Sequence, residues 1–110
     1  MPIQGTKDER LTWEPGQKPK AIMPWLVSTV SHRAIGLPGA RLAALLADSF
    51  NDKTGACWKT NDTMAGETDV SESAIKAGLQ QLEAAGSIIR VEEMVGRQMM
   101  RVIYPRDPIL

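Results

Sequence analysis

Few side chains in this protein are of types that could do covalent or metal chemistry. Cys57 is the single cysteine and His32 the single histidine. An intramolecular disulfide is therefore excluded, and no His/Cys cluster exists to hold a metal. Cys57 reads as a small packing residue, and His32, beside Arg33 with no nucleophile pair near it, as a structural or surface one. Paired carboxylates, a nucleophile with its base and a phosphate-cradling glycine loop are all missing from the sequence, so neither an enzyme nor a cofactor is expected. What remains is charge. Thirteen basic and thirteen acidic side chains cancel overall, but they are unevenly distributed. Thr60 to Gly86 carries Lys76 against Asp62, Glu67, Asp69, Glu72 and Glu83, whereas Ser87 to Arg106 carries Arg90, Arg97, Arg101 and Arg106 against Glu92 and Glu93. A polyanion would have to be held by that local positive charge, not by the field of the whole molecule.

Positioning these groups takes a core, and a chain of 110 residues that is 43% hydrophobic has enough apolar surface for one domain. The longest apolar runs are a few residues, and the start lacks a secretory layout, so no membrane contact and a cytoplasmic location are expected. Residues 1–20 are rich in Lys, Pro, Gly and acids without a burying period, and read as a flexible arm whose Trp13 folds back or meets a partner. The domain proper is expected over 21–106, with a short tail at 107–110.

Ala21 to Val30 is apolar but interrupted by Pro24, which predicts a short strand or a turn of helix carrying Ile22, Trp25 and Leu26 to the core. Leu42, Leu45, Leu46 and Phe50 recur at helical spacing after Pro38, predicting a helix from about Pro38 to Asn51. A turn at Asp52 to Gly55 leads to a brief strand over Ala56 to Lys59. Thr60 or Asn61 can cap a short helix over Asp62 to Glu67, and Ser71 can cap a longer one from Glu72 to about Ala85. In the latter, Ile75, Leu79 and Leu82 form the buried stripe, leaving Glu72, Ser73, Lys76, Ala77, Gln80 and Glu83 on the opposite face. Gly86 ends it, and two strands turning at Val95-Gly96-Arg97 complete the chain. The fold class is mainly α with a small β-hairpin. Of Met99 and Met100, adjacent on a strand, one is expected in the core and the other outward, where it could serve a soft interface.

The stretches GACWKTNDTMAGETDVSESAIKAGLQQLEAAGSI and GRQMMRVIY, within Arg41 to Tyr104, resemble the three-helix winged helix-turn-helix domains of bacterial regulators and phage or plasmid replication proteins. The most specific part is Val70-Ser71 followed by Ile75, Leu79, Leu82, Ala85 and Gly86. The resemblance implies sequence-dependent binding of duplex DNA, in transcriptional regulation or replication, with the recognition helix in the major groove. Carried over, the base-reading residues would be Ser71, Glu72, Ser73, Lys76, Ala77 and Gln80, since Gln can pair with adenine, Lys can donate to guanine and an acid can accept from cytosine. Lys59, Thr60 and Asn61 would meet a phosphate at the start of the preceding helix. Arg90, Arg97 and Arg101 would supply the wing's cations.

About four usable cations per monomer imply weak binding by one copy and a shallow salt dependence. A homodimer or a protein partner, held through the arm or the wing, would then complete the contact. The zero net charge and the acidic Thr60 to Gly86 segment also suit a second expectation, a protein-interaction module that touches DNA weakly or not at all. Nucleoid association is expected only on the first reading.

Overall fold

Pro38, placed in a first turn, starts a helix whose Leu42, Ala43, Leu46 and Ala47 fall on one buried face. The structure, a computed structural model, describes residues 7–107. Among them are four α-helices, α1 (Lys18–Val30), α2 (Leu37–Ser49), α3 (Asn61–Thr68) and α4 (Glu72–Ala84), then an antiparallel hairpin of β1 (Ile88–Val95) and β2 (Gln98–Pro105). None of the helices is long and apolar enough to cross a membrane. The mainly helical class with a small hairpin is as the sequence predicts, but there is one helix more than the expected three.

The additional helix is α1. Pro19 sits in its first turn and Pro24 in its interior, where the ring removes one main-chain hydrogen bond on an exposed side of the helix. The cost is offset by burial of Ile22 and Trp25. Trp25 packs edge-on to Phe50 with ring centroids 5.5 Å apart, and its Nε1 donates to the Ser87 carbonyl at 2.8 Å. The expected boundary at residue 20 falls inside this helix.

α2 and α4 form the closest helix pair. A Cβ added to Gly78 would lie 2.9 Å from the Pro38 carbonyl oxygen, and one on Gly39 would lie 2.6 Å from Gln81 Oε1. Gly78, facing main chain, therefore needs a residue without a side chain, whereas a side chain at Gly39 would displace the Gln81 amide. Gly36, at the N-cap of α2, has no side chain to cap with, and Gln81 supplies the missing acceptor by taking the Gly36 and Gly39 N–H groups at 3.0 and 3.1 Å.

The hairpin turns on Gly96-Arg97, with φ of 65° at Gly96 and Val95 paired to Gln98. At its root one face sends Ile88 and Ile103 into the helical core. The other face, with Val102 and Tyr104, packs with Ala56 and Trp58 into a smaller second core. The expected strand at Ala56 to Lys59 is reduced to one bridge, in which Cys57 and Ile103 exchange main-chain bonds of 2.8 and 2.9 Å. Neither Met99 nor Met100 reaches the core. Met99 is exposed opposite Met94, and Met100 is half-buried, because the outer half of the hairpin extends past the helices.

The segment expected as a flexible arm is, from Lys7 onward, hydrogen-bonded to the body. Arg10 bridges Arg106, Leu11 N–H donates to the Pro105 carbonyl at 2.8 Å, and Asp107 N–H donates to the Glu9 carbonyl at 2.9 Å. Trp13 folds back, its Nε1 donating to the Asp52 carbonyl at 2.7 Å. Partners so distant in sequence leave no periodic trace. Residues 1–6 of the arm and 108–110 of the tail lie outside the described residues.

The same segment sets a charge on the second core. Partial burial works to raise the Glu93 pKa, but the Lys7 ammonium at 3.0 Å and the Tyr104 hydroxyl at 2.9 Å outweigh it and hold the carboxyl below its ordinary value. The stabilisation is therefore fully present above the ordinary carboxylate range and is lost as pH falls through the lowered Glu93 value.

Two predictions follow from these contacts. Urea unfolding should find Gly78→Ala destabilised by about 1–3 kcal/mol through overpacking against Pro38, while Gly66→Ala, in open space on α3, gains about 0.5–1 kcal/mol. Equal and small effects at both sites would contradict the close α2 to α4 approach. Glu93→Gln should be less stable than the parent at pH 7 and converge with it in strong acid. A stability difference independent of pH would remove the Lys7–Glu93–Tyr104 linkage.

Candidate nucleic-acid interface

Thr60 and Ser71 are placed where the backbone needs them. Thr60 Oγ1 accepts the Thr63 N–H at 3.1 Å to cap α3, and Ser71 Oγ accepts the Ala74 N–H at 3.1 Å to cap α4. Between them Asp69 adopts the left-handed conformation, with φ of 55°, and closes α3 so that the chain can turn into α4. Helix, turn and helix are thus joined with both N-terminal ends open to solvent, Thr60, Ser71, Glu72 and Ser73 all being exposed.

On α4, Ile75, Gly78, Leu79 and Leu82 are buried, and Lys76 and Gln80 are exposed, with Ala77 half-buried between them. Neither Lys76 nor Gln80 makes a side-chain hydrogen bond or ion pair within the described residues. Glu72, Ser73, Lys76 and Gln80 therefore form an unengaged polar face, chemically able to contact base edges. Gln81, one position further on, is not part of it, because its amide is used on α2.

The cations divide into two sets. Arg97 stands exposed in the hairpin turn without an ion pair among the described residues. Arg90 and Arg101 lie on the hairpin face toward α3 and α4 and are both engaged there. Arg90 pairs with Glu83 of α4, whose side chain is only 4% exposed. Arg101 donates from Nη1 to Asn61 Oδ1 at 2.6 Å and from Nη2 to the Lys59 carbonyl at 2.7 Å, a fork that fastens β2 to the start of α3. Burial, followed by the nearby Arg90 charge, lowers the Arg101 pKa. Lys59 Nζ in turn holds Glu67 Oε2 at 2.8 Å.

These pairings change the electrostatic balance read from the sequence. Of the five acids in Thr60 to Gly86, Glu67 and Glu83 are matched by Lys59 and Arg90, leaving Asp62, Asp69 and Glu72 beside Lys76. The structure joins Lys59, Asn61 and Arg101 in one network and pairs Arg90 with Glu83 beside it. It leaves the α4 face and Arg97 as separate exposed groups. The structural role of Arg101 and of Gln81 is not legible from spacing, since their partners lie on other elements. An amide one position off an otherwise clean exposed face is the one trace of Gln81 in the sequence.

Comparison of the chain with known family models, with curated proteins and with solved structures finds no match.

Truncation should separate the two sets of arginines. Arg101→Ala leaves the Asn61 oxygen and the Lys59 carbonyl without their donor and should cost about 1.5–3 kcal/mol in urea unfolding. Arg97→Ala should change stability by less than about 0.5 kcal/mol. A loss at Arg97 as large as at Arg101 would contradict this division.

Proposed function

We propose that this protein binds duplex DNA as a small winged helix-turn-helix domain, serving a transcriptional regulator's or a replication factor's role in a bacterium or mobile element. The observation that carries the reading is the exposed, unengaged face of α4, Glu72, Ser73, Lys76 and Gln80, on a capped helix that follows α3 after a tight turn and is itself followed by a hairpin. In this arrangement α4 enters the major groove and the hairpin is the wing. The first turns of α3 and α4 offer main-chain N–H groups to phosphates, and Arg97 reaches the backbone from the wing.

Arg90 and Arg101 act in this reading chiefly by setting the wing against α3 and α4, so of the cations assigned to DNA Lys76 and Arg97 are the ones without an internal partner among the described residues. Binding by one copy is weak for that reason. A protein partner is favoured by a second observation. Met23, Val27 and Val30, spaced four and three residues apart on α1, are 54%, 58% and 43% exposed, and Met94 and Met99 are exposed near the wing tip. Such surface suits a second protein that shares the work of holding DNA or, in the competing reading, replaces it.

Fluorescence anisotropy with a labelled mixed-sequence duplex is the test. Binding should weaken as salt rises from about 50 to about 200 mM and should be lost in the Lys76→Glu/Arg97→Ala double variant. Undiminished binding by that variant would remove α4 and the wing as the interface. No binding at the lower salt would favour the protein-interaction reading.

A further inference from the structure

The hairpin face turned away from α4 borders a cleft of about 500 Å³, within the usual size of small-molecule sites. Three stretches far apart in sequence build it: Lys7 to Trp13, the loop around Lys53 with Trp58 beyond it, and Glu93 with Tyr104 on the two strands. It lies on the opposite side of the hairpin from Arg90 and Arg101, and nothing in the duplex reading uses it.

Two kinds of side chain converge there. The protein has five aromatic residues. Trp25 and Phe50 pack on one another in the helical core, whereas Trp13, Trp58 and Tyr104 all line this cleft. Trp13 and Trp58 are half-buried residues in its lining. Surfaces of this kind take a planar ring. The charged side chains are Lys7, Arg10 and Lys53 against Glu93 alone. Glu93 is already engaged by Lys7 at 3.0 Å and by the Tyr104 hydroxyl at 2.9 Å. Lys53 is exposed and has no ion pair among the described residues. The excess charge favours an anion.

A third observation points the same way. Trp58 Nε1 is buried without a hydrogen-bond acceptor, and no other side-chain nitrogen or oxygen among the described residues is in that position. Buried donors are nearly always paired in folded proteins, so an orphan in the wall of a cleft marks a group whose partner arrives from outside or with a small local shift.

We propose that this cleft binds a nucleotide, its base against the Trp13 and Trp58 indoles and its phosphate between Lys53 and Arg10. A ring without charge would leave the lysine unused, and phosphate alone would leave the indoles unused. The same chemistry has two sources, a free nucleotide or the unpaired terminal nucleotide of a strand. The inference stands independently of duplex binding by α4.

The three indole N–H signals of the full chain, followed by ¹⁵N-edited NMR, provide the test, with Trp13→Phe and Trp58→Phe used to assign them. Adenosine monophosphate and 5′-phosphorylated hexathymidylate are the probes, with adenosine and inorganic phosphate as half-ligand controls. The Trp13 and Trp58 signals should shift saturably while Trp25 stays fixed, and Lys53→Glu should weaken binding about tenfold or more. Duplex binding should be unchanged in that variant, and an unmoved Trp25 signal reports that its core is intact. Tighter binding of the hexamer than of the mononucleotide assigns the site to a strand end, and equal or weaker binding assigns it to a free nucleotide. Static indole signals with both probes, equal movement of all three, equal binding by adenosine or phosphate alone, or an unaffected Lys53→Glu variant would each overturn the proposal.

Discussion

The contact on which the rest of the structure depends is the one where α4 crosses α2 at Gly78. With the Pro38 carbonyl oxygen 2.9 Å from where a Cβ would stand, there is room for a hydrogen atom and little else. That proximity lets Gln81 reach across to the first N–H groups of α2, which no residue near Gly36 could cap. Close packing and capping are therefore one arrangement. They also set the direction of α4, which buries Ile75, Leu79 and Leu82 and leaves Lys76 and Gln80 outside.

From α4 the constraint passes to the hairpin. Glu83, nearly buried near the end of the helix, receives Arg90, while Arg101 spans the gap to Asn61 and the Lys59 carbonyl. A buried carboxylate without a partner is costly, and so is an unfilled carbonyl, so these pairings hold the hairpin against α3 and α4. Two of the arginines that the family resemblance assigns to DNA, Arg90 and Arg101, are thus engaged within the fold, whereas Arg97 in the turn has no ion pair among the described residues. In this near-neutral chain Lys53, Lys76 and Arg97 are exposed without an ion pair among the described residues, so a ligand would meet local charge and not the field of the whole molecule.

The two sides of the hairpin differ in physical character. Toward α3 and α4 it is a lattice of guanidinium hydrogen bonds, and on the other side it is aromatic and covered by the segment from Lys7 onward. That segment's docking explains how a stretch without hydrophobic period can be ordered. It contributes main-chain bonds to Pro105 and from Asp107, together with the Trp13 indole, and none of these needs a repeating pattern.

The sequence by itself determined the elements whose signals are local. Apolar spacing specified α2 and the buried stripe of α4, the Ser71 hydroxyl specified where α4 begins, Thr60 or Asn61 narrowed the start of α3 to within one residue, and Gly96 specified the hairpin turn, since each acts within one or two turns of chain. Pro24 hid α1, because a local breaker was outweighed by Ile22, Trp25 and the distant Phe50 and Ser87. The polar face of α4 was legible as the complement of the apolar stripe except at Glu83, expected on that face but with its side chain nearly buried in a pair with Arg90. Which arginines remain free was decided only by the tertiary structure, as were the role of Gln81 and the gathering of Trp13, Trp58 and Lys53 around one cleft. A side chain's charge and hydrogen-bonding capacity are written in its type, but whether they are spent inside the fold depends on which groups the packing of other elements brings within about 3 Å.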